Sequence, residues 1–206
     1  MNKLWLVLLA FALLGTSQGP LFSSNAFDNV GDNTWNNPTN AQAEDGVFAT
    51  VAAAPSLSDD LMSDIYGFSI PGTATITGLQ LEIKAKSSLA GTVDHTLGPV
   101  SADATVGIPV GITMGTTLAW ISTGGDGQLY SFSWTPSLVN ATGFGADFST
   151  GSADNNETLS VDAFRITVFY TLPATKKNQV IGSLEHHAQT SYGGLITDKI
   201  IGEPGQ

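Results

Sequence analysis

The sequence predicts an all-β protein: an antiparallel two-sheet β-sandwich, jelly-roll-like, with an apolar N-terminal segment before it and a C-terminal arm after it. Three observations carry this. Apolar residues recur at every second position in several short runs, the period of a strand with one buried face. Clusters of turn-forming residues separate those runs at sandwich-like spacing. Composition agrees, because 23 Gly and 9 Pro in 206 residues are a turn-rich load, and no segment of about 12 residues repeats its apolar positions at helical spacing.

Residues 1–19 differ from the rest of the chain. Met1-Asn2-Lys3 carries one positive charge, Leu4 to Leu14 is an unbroken apolar run, and Gly15-Thr16-Ser17-Gln18-Gly19 is small and polar. Two readings stand side by side. One is a secretory signal cut before Pro20, with Ser17 and Gly19 small at the recognition positions. The other is an uncleaved apolar arm that docks in an assembly. The run falls short of the roughly 20 apolar residues that a membrane-spanning helix needs, so no stable membrane span is expected.

Residues 20–173 form the expected sandwich. Its clearest strand is Gly78 to Lys86, where Leu79, Leu81, Ile83 and Ala85 share one face and Gln80, Glu82, Lys84 and Lys86 the other. Phe164, Ile166, Val168 and Tyr170 repeat the pattern, as do Tyr130, Phe132 and Trp134. Ala104 to Met114 alternates too, but Pro109 cannot donate to a ladder, so this is an edge or bulged strand. Val47 to Val51, Ile65 to Ile70 and Thr117 to Ile121 complete the strand candidates. Asn36-Asn37-Pro38, Ile70-Pro71-Gly72, Gly98-Pro99, Gly124 to Gly127, Thr135-Pro136 and Asp154 to Asn156 break the runs. Leu81, Ile83, Phe132, Ile166 and Val168 are expected to share one core. Residues 174–206 contain Val180, Ile181, Leu184, Leu195, Ile196, Ile200 and Ile201, which suit an arm or an added strand pair covered by a neighbouring subunit.

Charge and residue inventory narrow the chemistry. Seven basic against 18 acidic residues give a formal charge of −11, and Arg165 is the single arginine, which excludes a nucleic-acid groove. The absence of cysteine removes disulfides, thiolate catalysis and zinc–thiolate sites. His95, His186 and His187 have no ligand spacing, and adjacent histidines on a strand point to opposite faces. The expectation is therefore no enzyme and no cofactor. An acid pair from loops such as Asp28 to Asp45 and Asp154 to Glu157 is the one chemistry left open. Asp28, Asp32 and Asp45 offer hard oxygens for a calcium ion. Trp35, a ring among Asn and Asp, is the ligand candidate.

A resemblance rests on motif order. Trp35-Asn36-Asn37-Pro38-Thr39-Asn40-Ala41, Glu44 to Ala49, Tyr66-Gly67-Phe68-Ser69-Ile70-Pro71 and Ala74 to Gly78 are followed by Ser133-Trp134-Thr135-Pro136, Asn140, Gly143-Phe144-Gly145 and Val161 to Tyr170. Over about residues 28–171 this resembles a β-sandwich module of tailed-phage virion proteins and of large secreted bacterial surface proteins. The resemblance implies a non-catalytic role. The leading expectation is a virion component, a capsid decoration, tail or fibre protein at the virion surface, with copies of itself and other virion proteins as partners. The alternative is a secreted extracellular module that binds carbohydrate or a cell surface, with a cell-surface glycan as partner.

Overall fold

The computed structural model describes residues 15–29, 34–52, 60–89, 92–102, 104–150 and 157–174. The chain forms eleven strands among them: β1 (Gly15–Phe22), β2 (Asn25–Asn29), β3 (Ala49–Ala52), β4 (Asp60–Asp64), β5 (Thr75–Ser87), β6 (Thr92–Ser101), β7 (Ala104–Thr105), β8 (Val110–Met114), β9 (Ala119–Asp126), β10 (Gly145–Thr150) and β11 (Thr158–Thr171). The first sheet runs β1-β11-β5-β9, and β3 lies end to end with β1 along the same flank of β11. The second runs β2-β4-β10-β6-β7, with β8 end to end with β7 along β6. Every pairing is antiparallel. From β3 onward the chain keeps crossing between the sheets, which is the jelly-roll arrangement that the sequence predicts.

Alternation places the core. Leu79, Leu81 and Ile83 of β5 and Phe164, Ile166 and Val168 of β11 point between the sheets and meet Leu61, Leu97, Ala146 and Phe148 of the second sheet, all essentially inaccessible. Phe132 packs against this core from a half-buried position. Among the described residues no helix is long and apolar enough to cross a membrane.

Two expected strands are not strands. Ile65 to Ile70 and Tyr130 to Trp134 bury every second residue, or nearly so, without entering a ladder. Ile65, Tyr130 and Ser131 have positive φ, which takes the backbone out of the strand region. Phe144 gathers the buried rings instead, at 5.7 Å from Phe68, 6.4 Å from Tyr66 and 5.3 Å from Trp134. Asn140, on the single turn of helix that starts at Pro136, supplies the missing partner: the Ile70 N–H donates to its Oδ1 and its Nδ2 donates to the Ile70 carbonyl, both at 2.8 Å. Asn140→Ala is expected to cost about 1–3 kcal/mol in chemical denaturation, because it strands two polar groups of a buried residue. Asn140→Asp, which keeps only the acceptor, should lie between the variant and the parent.

The expected break at Gly98-Pro99 instead lies inside β6. Pro99 accepts from the Val106 N–H at 2.9 Å, so its own missing N–H faces the flank where β7 and β8 leave a gap, the position in a sheet that tolerates proline. Gly98 has no side chain there because Pro109 folds against it: a Cβ would lie 2.9 Å from the Pro109 Cγ. Gly107, at φ +72° with the Tyr130 carbonyl 2.0 Å from any added Cβ, turns the chain between β7 and β8. Ala104 to Met114 is thus an interrupted edge strand, as Pro109 predicts. β1 runs through the Gly19-Pro20 bond where the signal reading puts its cut, so the sheet begins before residue 20. The C-terminal arm and the segment before Gly15 lie outside the described residues.

Candidate functional site

The outward face of the first sheet brings together rings and charges from four strands. Register aligns Phe22 of β1 with Arg165 of β11, Arg165 with Glu82 of β5, and Glu82 with Ser122 of β9. Because Leu81, Ile83 and Ile166 point inward, this row points to solvent. The Arg165 Nε and Nη2 donate to the two Glu82 carboxylate oxygens at 2.8 and 2.9 Å. Glu82 raises the already high pKa of Arg165, and the fork is planar and bidentate. Above it lies Trp120, whose ring centre is 3.9 Å from the guanidinium carbon. Phe22, 41% exposed, inclines toward Trp120 with ring centres 6.1 Å apart. The cation beneath and the ring beside it hold the indole in place.

Polar groups border the rings. Gln80 donates to Ser122 at 2.8 Å. Trp120 is paired in register with Lys84, whose ammonium donates to Glu44 at 2.6 Å and lies 3.1 Å from Asp162. Glu44 is the first cause of the raised Lys84 pKa. Asp162 sits at a bulge in β11 and accepts from the Gly46 and Asp45 N–H groups. It therefore pins the loop before β3 as a wall. Further along β5, Lys86 lies over the Phe48 ring at 4.9 Å. It borders a shallow pocket of about 280 Å³ lined also by Ser87, Ser88, Thr116, Thr158 and Ser160.

The sequence-predicted residues lie elsewhere. Trp35 is 2% exposed and packs edge-on against Phe148 at 5.9 Å, so the expected ligand ring is a core ring. Its loop is polar because the residues around it reach solvent while the indole does not. Asp28 belongs to β2, and Asp45 accepts from the Val47 N–H at 2.9 Å. Asp32 lies outside the described residues, among which no group of three or more metal-ligating side chains is found. Trp120 and Phe22 are absent from the sequence-based candidates, although the strand pattern carries a signal for Trp120. Ala119-Trp120-Ile121 belongs to an expected strand, and an inward Ile121 puts a tryptophan on the wet face.

Two buried polar groups elsewhere have other arrangements. Ser87 donates to Glu157 at 2.5 Å, and that carboxylate oxygen lies 3.4 Å from the His95 Nε2. The acid stands between hydroxyl and imidazole, so the histidine cannot take the serine proton as a nucleophile site requires. On the second sheet, Asp147 Oδ2 accepts from Thr105 at 2.5 Å across the space that Gly98 leaves open. Burial pushes the Asp147 carboxyl up to about 7. The Thr105 and Ser149 hydroxyls pull against burial, and the Asp60 charge adds to it.

Comparison with known proteins gives distant likenesses. No family model matches the chain, and no curated protein matches it either. Among solved structures, a CBM4 carbohydrate-binding module is 14% identical over 68% of this chain and 92% of its own, with a TM-score of 0.41. TmCBM61, solved in complex with β-1,4-galactotriose, is 11% identical over 71% of this chain and 90% of its own, at 0.37. The enzymatically active domain of a tailspike protein of bacteriophage CBA120 is 10% identical over 72% of this chain and 19% of its own, at 0.33. At these values no functional property transfers to this chain.

Proposed function

We propose that this protein is a non-catalytic, extracellular module that binds a glycan on the outward face of its first sheet. The observation that carries the reading is the pair of rings, Phe22 and Trp120, held on the wet face over the Arg165–Glu82 pair. A pyranose ring presents C–H groups on its flat faces and hydroxyls around its rim. Aromatic faces suit the first, and the bordering Gln80 and Ser122 suit the second. The rings are fixed before any ligand arrives, so less side-chain entropy is lost on binding. The leader-like apolar run Leu4 to Leu14, which precedes β1 in the sequence, supports an extracellular setting.

The virion reading rests on the motif resemblance and on residues 1–19 read as an uncleaved docking arm, and nothing among the described residues favours it over the ring surface. Trp120→Ala is expected to weaken binding to the best ligand of a glycan array by about tenfold or more, the scale of a hot-spot aromatic. Circular dichroism should show an intact sandwich, because the side chain lies outside the core. Parent protein that binds no glycan on the array, or a variant that binds as tightly as the parent, would refute the proposal. Released reducing ends would refute its non-catalytic part.

A further inference from the structure

The polar pocket beside Lys86 lies on the same face of β5 as the rings. Ser160 pairs in register with Lys86, as Arg165 does with Glu82, and Lys86 stands four residues beyond Glu82, about 13 Å along a strand. The charges along this face are not equivalent. Arg165 is matched by Glu82, and Lys84 by Glu44 and Asp162. Among the described residues Lys86 has no carboxylate partner, and the pocket it borders is lined otherwise by Ser and Thr, with no acid. Its ammonium is steadied over the Phe48 ring, which satisfies the cation on one side and leaves N–H donors for the other. The Ser87 hydroxyl is given to Glu157 behind the lining, but the hydroxyls of Ser88, Thr116, Thr158 and Ser160 beside one ammonium are complementary to a carboxylate or sulfate oxygen.

We infer that the pocket at Lys86 receives an anionic substituent of the glycan whose backbone lies on the Phe22–Trp120 surface. This rests on the glycan-binding reading and sharpens it to a substrate class: a mostly neutral chain with sparse acidic substituents. Sparse is required because the protein carries a formal charge of −11, and its field repels a dense polyanion. One acidic group meets the local cation at close range, whereas a uniformly charged chain meets the whole negative surface.

The test compares two ligands by isothermal titration calorimetry: a neutral xylo-oligosaccharide and the same oligosaccharide carrying one glucuronate branch, or the corresponding matched pair on whichever backbone the array identifies. The parent should prefer the acidic member by about fivefold, the upper end for a solvated ion pair. The preference should vanish between about 0.01 M and 1 M ionic strength, as the screening length falls from ~30 Å to ~3 Å. Lys86→Gln should bring the ratio of the two affinities close to one, and Lys86→Arg should restore it. Equal binding of both members by the parent, or a preference that survives in Lys86→Gln, overturns the inference and leaves the glycan reading standing. Failure of every matched pair to bind overturns both.

Discussion

Phe164→Ala is expected to lower the unfolding free energy by about 3–5 kcal/mol, the range for removing a fully buried aromatic side chain. Phe164 is inaccessible to solvent and lies opposite Ile83 in the β5–β11 register, at the centre of the core. The space it would vacate cannot easily close. β11 is hydrogen-bonded on one flank to β5 and on the other to β1 and β3, so the backbone that would have to move inward is held along nearly its whole length. At about 2–4 °C per kcal/mol for a chain of this size, the melting temperature should fall by roughly 10 °C. Guanidinium denaturation with an unchanged slope and a lowered midpoint is the confirming pattern. A loss below about 1 kcal/mol would mean that the two sheets do not meet at this residue.

Asp147→Asn is expected to change how stability depends on pH, and to stabilise the protein in alkaline solution. With its carboxyl raised to about 7 in the fold against about 3.9 in an unfolded chain, the native protein holds a proton between those values that the unfolded chain has given up. Stability therefore falls as pH rises through that window. The contribution of this group is fully present below about pH 4 and is lost once pH has passed about 7. At roughly 1.4 kcal/mol per pH unit the loss is at most about 4 kcal/mol. Asparagine, neutral at every pH, keeps an acceptor for Thr105 and has nothing to lose. Urea midpoints of parent and variant should converge near pH 4 and diverge by pH 8, with the variant the more stable. Parallel profiles, or a variant weaker at pH 8, would show that Asp147 is already ionised in the folded protein at lower pH.

The β-sandwich was legible in the sequence because alternation writes burial directly: Leu79 to Ala85 and Phe164 to Tyr170 mark the two longest strands, which form the spine of the first sheet. Where the reading failed, the cause lay outside local pattern. Tyr66, Phe68 and Ile70 alternate as a strand does, yet the backbone of Ile70 is partnered by the Asn140 side chain from across the fold, 70 residues away. Gly98-Pro99 reads as a turn, and is accommodated in β6 only because Pro109 and Val106 lie on that flank. β1, β2 and β10 are short and weakly alternating, and their pairing depends on neighbours far along the chain. The ring surface was hidden for a similar reason. Phe22 and Trp120 are about a hundred residues apart, and only the register β1-β11-β5-β9 places both beside Arg165.

The interrupted flanks of both sheets bear on how copies of the folded molecule treat one another. A long, flat, unpaired strand is a template on which another chain can add by backbone hydrogen bonds. Along β6 the outer flank is split between two residues of β7 and five of β8, with proline and glycine at the junction. Along β11 it is divided between β1, whose register shifts after Gln18, and the four residues of β3. β9 carries Gly124 and Gly125 next to its end, both at positive φ, and β2, the other edge of the second sheet, has only five residues. None of these offers the straight run of free donors and acceptors that fibrillar stacking needs. Concentrated solutions of the native protein should accordingly stay free of cross-β aggregates, and aggregation, where it arises, should start from chains that have first opened.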